Sequence, residues 1–130
     1  MIRLQDIKPG DIVLAEYEGE KREGIVTDIA PEEKEVCVET DVQEFWYSPE
    51  HLFPIPLTEE QLLSFGFTRA DDGDGVKYMR DSFRIHLPRK GDFSHVEIWW
   101  REDRRELDYP LSVHELQNHY YQMTKVELNK

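Results

Sequence analysis

The sequence predicts a mainly β protein of the α+β class: a small barrel over residues 1–57, then an α+β half over residues 58–130 in which an antiparallel sheet is packed by a C-terminal helix. Three observations carry this. Short apolar, β-branched segments recur at a spacing of about ten residues through the front half, with turn residues between them. A second set of alternating segments, rich in aromatics, fills the back half. A single long stretch with helical spacing closes the chain. The chain has 130 residues with three Trp, six Tyr and six Phe, enough to build one compact core or two small ones despite 34% charged residues.

The front elements follow from their residues. Pro9-Gly10-Asp11 is a turn that launches the strand Ile12-Val13-Leu14-Ala15-Glu16-Tyr17. Glu18-Gly19-Glu20-Lys21 supplies a hairpin connection, because glycine tolerates the positive φ that tight hairpins demand. Gly24-Ile25-Val26-Thr27-Asp28-Ile29 is the return strand. After the turn at Ala30-Pro31-Glu32-Glu33-Lys34 come Val36-Cys37-Val38 and then Glu44-Phe45-Trp46-Tyr47. Ser48-Pro49-Glu50-His51-Leu52 suits a 3₁₀ turn, and Phe53-Pro54-Ile55-Pro56-Leu57 is held extended by its prolines.

A capping box, Thr58-Glu59-Glu60-Gln61, starts a short helix over residues 59–65, with Leu57 and Leu62 as its hydrophobic staple and Gly66 as its left-handed stop. Asp71-Asp72-Gly73-Asp74-Gly75 is a hairpin tip. Its acids lack the spacing of a calcium loop, whose closing glutamate position would fall on Phe83. Strands follow at Val76-Lys77-Tyr78-Met79-Arg80, Phe83-Arg84-Ile85-His86-Leu87 and Val96-Glu97-Ile98-Trp99-Trp100-Arg101, with Phe83, Ile85, Leu87, Val96, Ile98 and Trp100 on the core face. The final helix opens on a second capping box, Ser112-Val113-His114-Glu115, and runs to about Thr124, with Val113, Leu116, Tyr120 and Met123 turned to the sheet.

Strand count, the helical turn before the last front strand and the opening Lys8-Pro9-Gly10-Asp11-Ile12-Val13 together resemble the SH3-like barrel shared by SH3, Tudor and KOW modules. KOW modules bind RNA with basic loops, whereas these loops carry Glu18, Glu20, Glu32 and Glu33, an arrangement that argues against nucleic-acid binding. Two further segments, Pro54-Ile55-Pro56-Leu57-Thr58-Glu59-Glu60-Gln61-Leu62-Leu63-Ser64-Phe65-Gly66-Phe67 and Val113-His114-Glu115-Leu116-Gln117-Asn118-His119-Tyr120, together resemble a family of small uncharacterised proteins carried by bacterial phages and other mobile elements. That resemblance implies an SH3-like front half, a C-terminal His-Glu-Leu-Gln-Asn helix and a mobile genomic setting. It implies no activity. The family's Thr-Gly-Lys ending is replaced by Thr124-Lys125-Val126, which leaves a lysine where a glycine stop is expected.

Charge narrows the partners. The net charge is -12, and the front half holds 14 acidic against five basic side chains. Such a field repels phosphate backbones. No apolar run reaches the roughly 18 residues of a membrane span, and the first residues lack a secretory layout, so a cytoplasmic protein without membrane attachment is expected. The lone Cys37 forms no internal disulfide and reads as a buried apolar filler.

Catalytic signatures are missing from the pattern. No nucleophile sits in a recognisable turn beside a histidine, and no glycine-rich phosphate loop occurs. His114 and His119 are five apart, which turns the second ring by about 100° from a shared zinc position. His114 and Glu115 suit helix-start electrostatics, and the Asn118 amide suits a tie to sheet backbone. The reading therefore expects no enzyme, no metal and no cofactor. It expects an unknown protein partner on a surface drawn from Phe45, Trp46, Tyr47, Trp99, His114 and Asn118, because alternation turns at least one large ring of each aromatic run away from the core. The alternative is an acidic mimic of nucleic acid that inhibits a host DNA- or RNA-binding protein. A hydrolase using clustered carboxylates, and RNA binding through Arg101, Arg104 and Arg105, rank below both.

Overall fold

The computed structural model describes all 130 residues, which form two compact units. The first comprises Met1–Ile55 and Ser112–Asn118, and the second Pro56–Leu111 and His119–Lys130. The division falls two residues before the boundary read from the sequence, and it also assigns the first turns of the C-terminal helix to the front unit. Hydrogen bonds explain that assignment: the Gln117 and Asn118 side chains bond to residues 6–12 of the same unit, and Val113 N–H donates to Ile55 O at 2.8 Å.

In the first unit, strands β1 (Ile12–Tyr17), β2 (Glu20–Ala30), β3 (Glu35–Thr40), β4 (Glu44–Tyr47) and β5 (Leu52–Phe53) form one antiparallel sheet in the order β4-β3-β2-β1-β5. A 3₁₀ turn at Pro49–His51 precedes β5, as the SH3-like reading expects. The β1–β2 hairpin closes through two residues, Glu18 at φ 52° and Gly19 at φ 81°, the paired left-handed geometry that matches strand twist. A register shift at residues 26–28 bends the long β2 strand. Alternating residues then meet in one cluster of Ile2, Ile7, Val13, Ala15, Val26, Val36, Val38, Tyr47 and Leu52. Cys37 is buried, as a filler should be.

In the second unit, α1 (Glu59–Ser64) is capped by Thr58, whose hydroxyl accepts from Gln61 N–H at 3.2 Å. It stops at Gly66, φ 88°, with Gly66 N–H on Leu63 O and Phe67 N–H on Leu62 O, the paired closure of a Schellman motif. The sheet is a meander of β6 (Thr68–Asp72), β7 (Gly75–Arg80), β8 (Phe83–Leu87), β9 (Val96–Trp100) and β10 (Asp103–Leu107). β6 and β10 were not read from the sequence, since both are polar edge strands with no buried alternation to announce them. Phe83 of β8 packs on Tyr120 of the final helix, α2 (Val113–Thr124), with ring centroids 4.6 Å apart. The helix stops at Lys125, which takes the left-handed role itself at φ 62° and donates its N–H to Tyr121 O at 2.8 Å.

One glycine in this sheet is required by space. A Cβ at Gly75 would lie 2.5 Å from Leu87 O and 3.1 Å from Pro88 O, both backbone atoms that cannot step aside. Gly75→Ala is therefore expected to lower stability by about 1–3 kcal/mol in urea denaturation. Gly73→Ala, at the open tip with φ 61°, should cost only the left-handed strain of about 1 kcal/mol. Equal losses from the two would contradict the steric assignment.

Candidate protein-interaction surface

Large exposed rings gather in the first unit at the end of the β1–β2 hairpin and on β4. Tyr17 is 46% exposed, Phe45 38% and Trp46 47%. The Tyr17 and Phe45 rings meet edge to face at 5.1 Å, and Phe45 leans on Tyr47 at 6.4 Å. Tyr47 itself is only 6% exposed and belongs to the core, so it supports the surface from below rather than forming it. Burial also pushes its phenol pKa up. Strict alternation would expose one of Phe45 and Trp46. Both are exposed because β4 ends the sheet and has no neighbouring strand on its outer flank.

A cleft of about 380 Å³ runs along these rings, bounded by the acids Glu16, Glu18 and Glu35 and by His51. His51 Nδ1 stands 3.8 Å from Glu16 Oε1. A second cleft of about 340 Å³ shares Tyr17, Glu18 and Tyr47 and extends to Val42, which is exposed as well.

Trp99, the matching candidate on β9, has a different environment. Register places it between Arg84 and Arg104, and their guanidinium carbons lie 5.6 and 5.2 Å from its ring centroid. Its indole N–H donates to Arg101 O at 3.0 Å. Cations and a carbonyl of its own unit already engage this ring. Trp46 has no hydrogen bond, ion pair or ring contact of its own.

His114 and Asn118 serve the interior instead. His114 is only 5% exposed, so it is withdrawn from the surface that the sequence reading assigned it to; its Nδ1 lies 3.2 Å from Ser112 Oγ. Desolvation lowers its pKa. Asn118 is half-buried, and its amide donates to Asp6 O at 3.0 Å and to Asp11 Oδ2 at 3.2 Å; the tie to backbone is made to the 3₁₀ turn Leu4–Asp6, not to the sheet as the sequence reading expects. Asp11 is fully buried and also accepts from Lys8 N–H at 3.0 Å and Lys8 Nζ at 2.6 Å. The helix start departs in one detail from the capping box read in the sequence: Glu115 accepts from both Ser112 N–H and Ser112 Oγ.

Two residues that matter were missed by sequence reasoning. Tyr17 sits at the last position of β1, where the coming Glu-Gly turn could have marked it as a ring beside an open hairpin end. Gln117 lies fully buried between Leu116 and Asn118, and nothing in a polar helical residue announces that. No helix is long and apolar enough to cross a membrane. No family model matches the chain, and no curated protein and no solved structure matches it either.

Proposed function

We propose that this protein is a non-enzymatic interaction module that docks a partner protein on the Tyr17, Phe45 and Trp46 surface of its first unit. The observation that carries the reading is Trp46, half exposed, with its side chain in no hydrogen bond, ion pair or ring contact, beside two other open rings. Rigid aromatic side chains bury much area at little entropic cost, which is why such rings dominate binding energies. The two segments that resemble phage and mobile-element proteins support placing the module in that setting.

Capture of partners from extracts of the source cell, with wild-type protein and two variants, tests the reading. Trp46→Ala should weaken the main captured partner by about 30-fold or more, the effect of losing a contact worth about 2 kcal/mol. Trp99→Ala should leave capture unchanged, since this ring, though 40% exposed, belongs to the second unit and lies between Arg84 and Arg104. Retention of every partner by a folded Trp46→Ala variant would refute the surface. If capture were instead indifferent to Trp46→Ala and lost on neutralising carboxylates or raising salt, the nucleic-acid-mimic reading would replace it.

A further inference from the structure

We propose that the occupant of the aromatic cleft is an extended, basic segment of the partner protein. It lies along the free edge of β4 and places a lysine or arginine side chain against the rings and the carboxylates of Glu16, Glu18 and Glu35. The proposal deepens the reading of this surface as the docking site and rests on it.

The geometry of the cleft gives the first reason. Phe45, Trp46 and Tyr47 all line it, yet consecutive residues of a strand point to opposite faces. A single cleft can touch all three only by passing around the strand's edge. That edge is open: β4 terminates the sheet, and its backbone pairs on one side only, from Glu44 opposite Glu39 to Tyr47 opposite Val36. Unpaired N–H and C=O groups beside exposed rings are what an added strand requires.

The other sheet edges give the second reason, because they are protected in the usual ways. β10 reads Asp-Arg-Arg-Glu-Leu and β6 Thr-Arg-Ala-Asp-Asp, charged along their length, and β5 is only two residues long. β4 reads Glu-Phe-Trp-Tyr. An edge that carries aromatics in place of blunting charges stays unprotected only where something covers it.

Charge selects the chemistry of that cover. Three carboxylates line the cleft and no lysine or arginine does. The one basic neighbour, the His51 imidazole, is shared between Glu16 and Glu50, at 3.8 Å from each. Glu18 and Glu35 have no cationic partner. Aromatic faces attract cations, and unpaired carboxylates beside them add charge-assisted hydrogen bonds. An acidic or phosphorylated segment would meet repulsion in the same place.

Selection from a displayed library of random peptides about nine residues long, the length of a strand, tests the proposal on the full chain. Peptides whose binding needs Trp46 should be enriched in lysine or arginine at one position, flanked by β-branched residues. Their affinity should fall about tenfold for the Glu18→Gln/Glu35→Gln double variant, whose fold is checked by circular dichroism. N-methylation of alternate peptide amides, which removes strand hydrogen bonds, should abolish binding. Trp46-dependent peptides without basic preference, indifferent to the double variant, would overturn the cation site while leaving the docking surface intact. Tolerance of methylation at every position would overturn the strand addition. Selected peptides that ignore Trp46→Ala would instead bring down the docking surface itself.

Discussion

Gln117→Leu is expected to lower stability by about 2–5 kcal/mol and the midpoint of thermal unfolding by roughly 10 °C or more, although the side chains are close in size. Gln117 is fully buried, and its amide bridges two backbone groups: Oε1 accepts from Ile12 N–H at 2.7 Å and Nε2 donates to Gly10 O at 2.9 Å. Both groups belong to the turn that starts β1. Leucine keeps the volume and removes both partners, leaving a donor and an acceptor stranded away from water, each costing about 1–3 kcal/mol. Gln117→Glu separates hydrogen bonding from volume, since a protonated carboxyl retains the acceptor and can still donate; its stability should recover as pH is lowered toward the glutamate range. Urea denaturation reads both variants. A loss under about 1 kcal/mol for Gln117→Leu would mean that water reaches the two groups, contrary to the burial seen.

Much of this architecture was legible because it is written in alternation and punctuation. Phe83, Ile85 and Leu87 alternate with Arg84 and His86, and all three apolar side chains are buried. Thr58 and Gly66 bracket α1 as cap and stop chemistry dictates. The edge strands β6 and β10 were not legible, because a strand whose residues face water carries no hydrophobic period. Of the candidate site, the sequence marked Phe45 and Trp46 but could not rank Trp46 above Trp99. Both are aromatic strand residues beside others of their kind, and what separates them is register, which sets Arg84 and Arg104 opposite Trp99 and Cys37 opposite Trp46. Pairing of that kind is fixed by the whole sheet and is invisible in any one segment. His114 misled for a related reason. Helix periodicity shows that it flanks the apolar stripe, not that Ser112 and Asp11 meet it indoors.

Removing the buried carboxylate should cost most of all. Asp11 accepts three hydrogen bonds, from Lys8 N–H, Lys8 Nζ and Asn118 Nδ2. Asp11→Ala removes the acceptor of two Lys8 bonds and the carboxylate 2.6 Å from the Lys8 ammonium, which is only 21% exposed, while the Asn118 amide keeps Asp6 O and His114 O; the expected loss is about 3–5 kcal/mol. The same cluster sets how stability responds to acid. Desolvation lowers the His114 pKa below its ordinary 6.5, against the pull of Asp11, Glu115 and Asp6 and with the push of Lys8. A neutral imidazole is thus favoured in the fold. Its contribution is fully present above pH 6.5 and is lost as pH falls through the folded value. Asp11 has the opposite sign. Desolvation raises its pKa above 3.8 despite the Lys8 bonds, so its contribution is fully present below pH 3.8 and is lost as pH rises through the folded value. Acidification from pH 7 should therefore first cost stability through His114, and the protonation of Asp11 should then return part of it at lower pH. A His114→Gln variant removes the histidine contribution, which is the one that acts between pH 7 and pH 5. Its unfolding free energy, followed by urea denaturation from pH 7 to pH 5, should fall less steeply than that of the wild type; parallel curves would show that His114 titrates alike in the folded and unfolded chains.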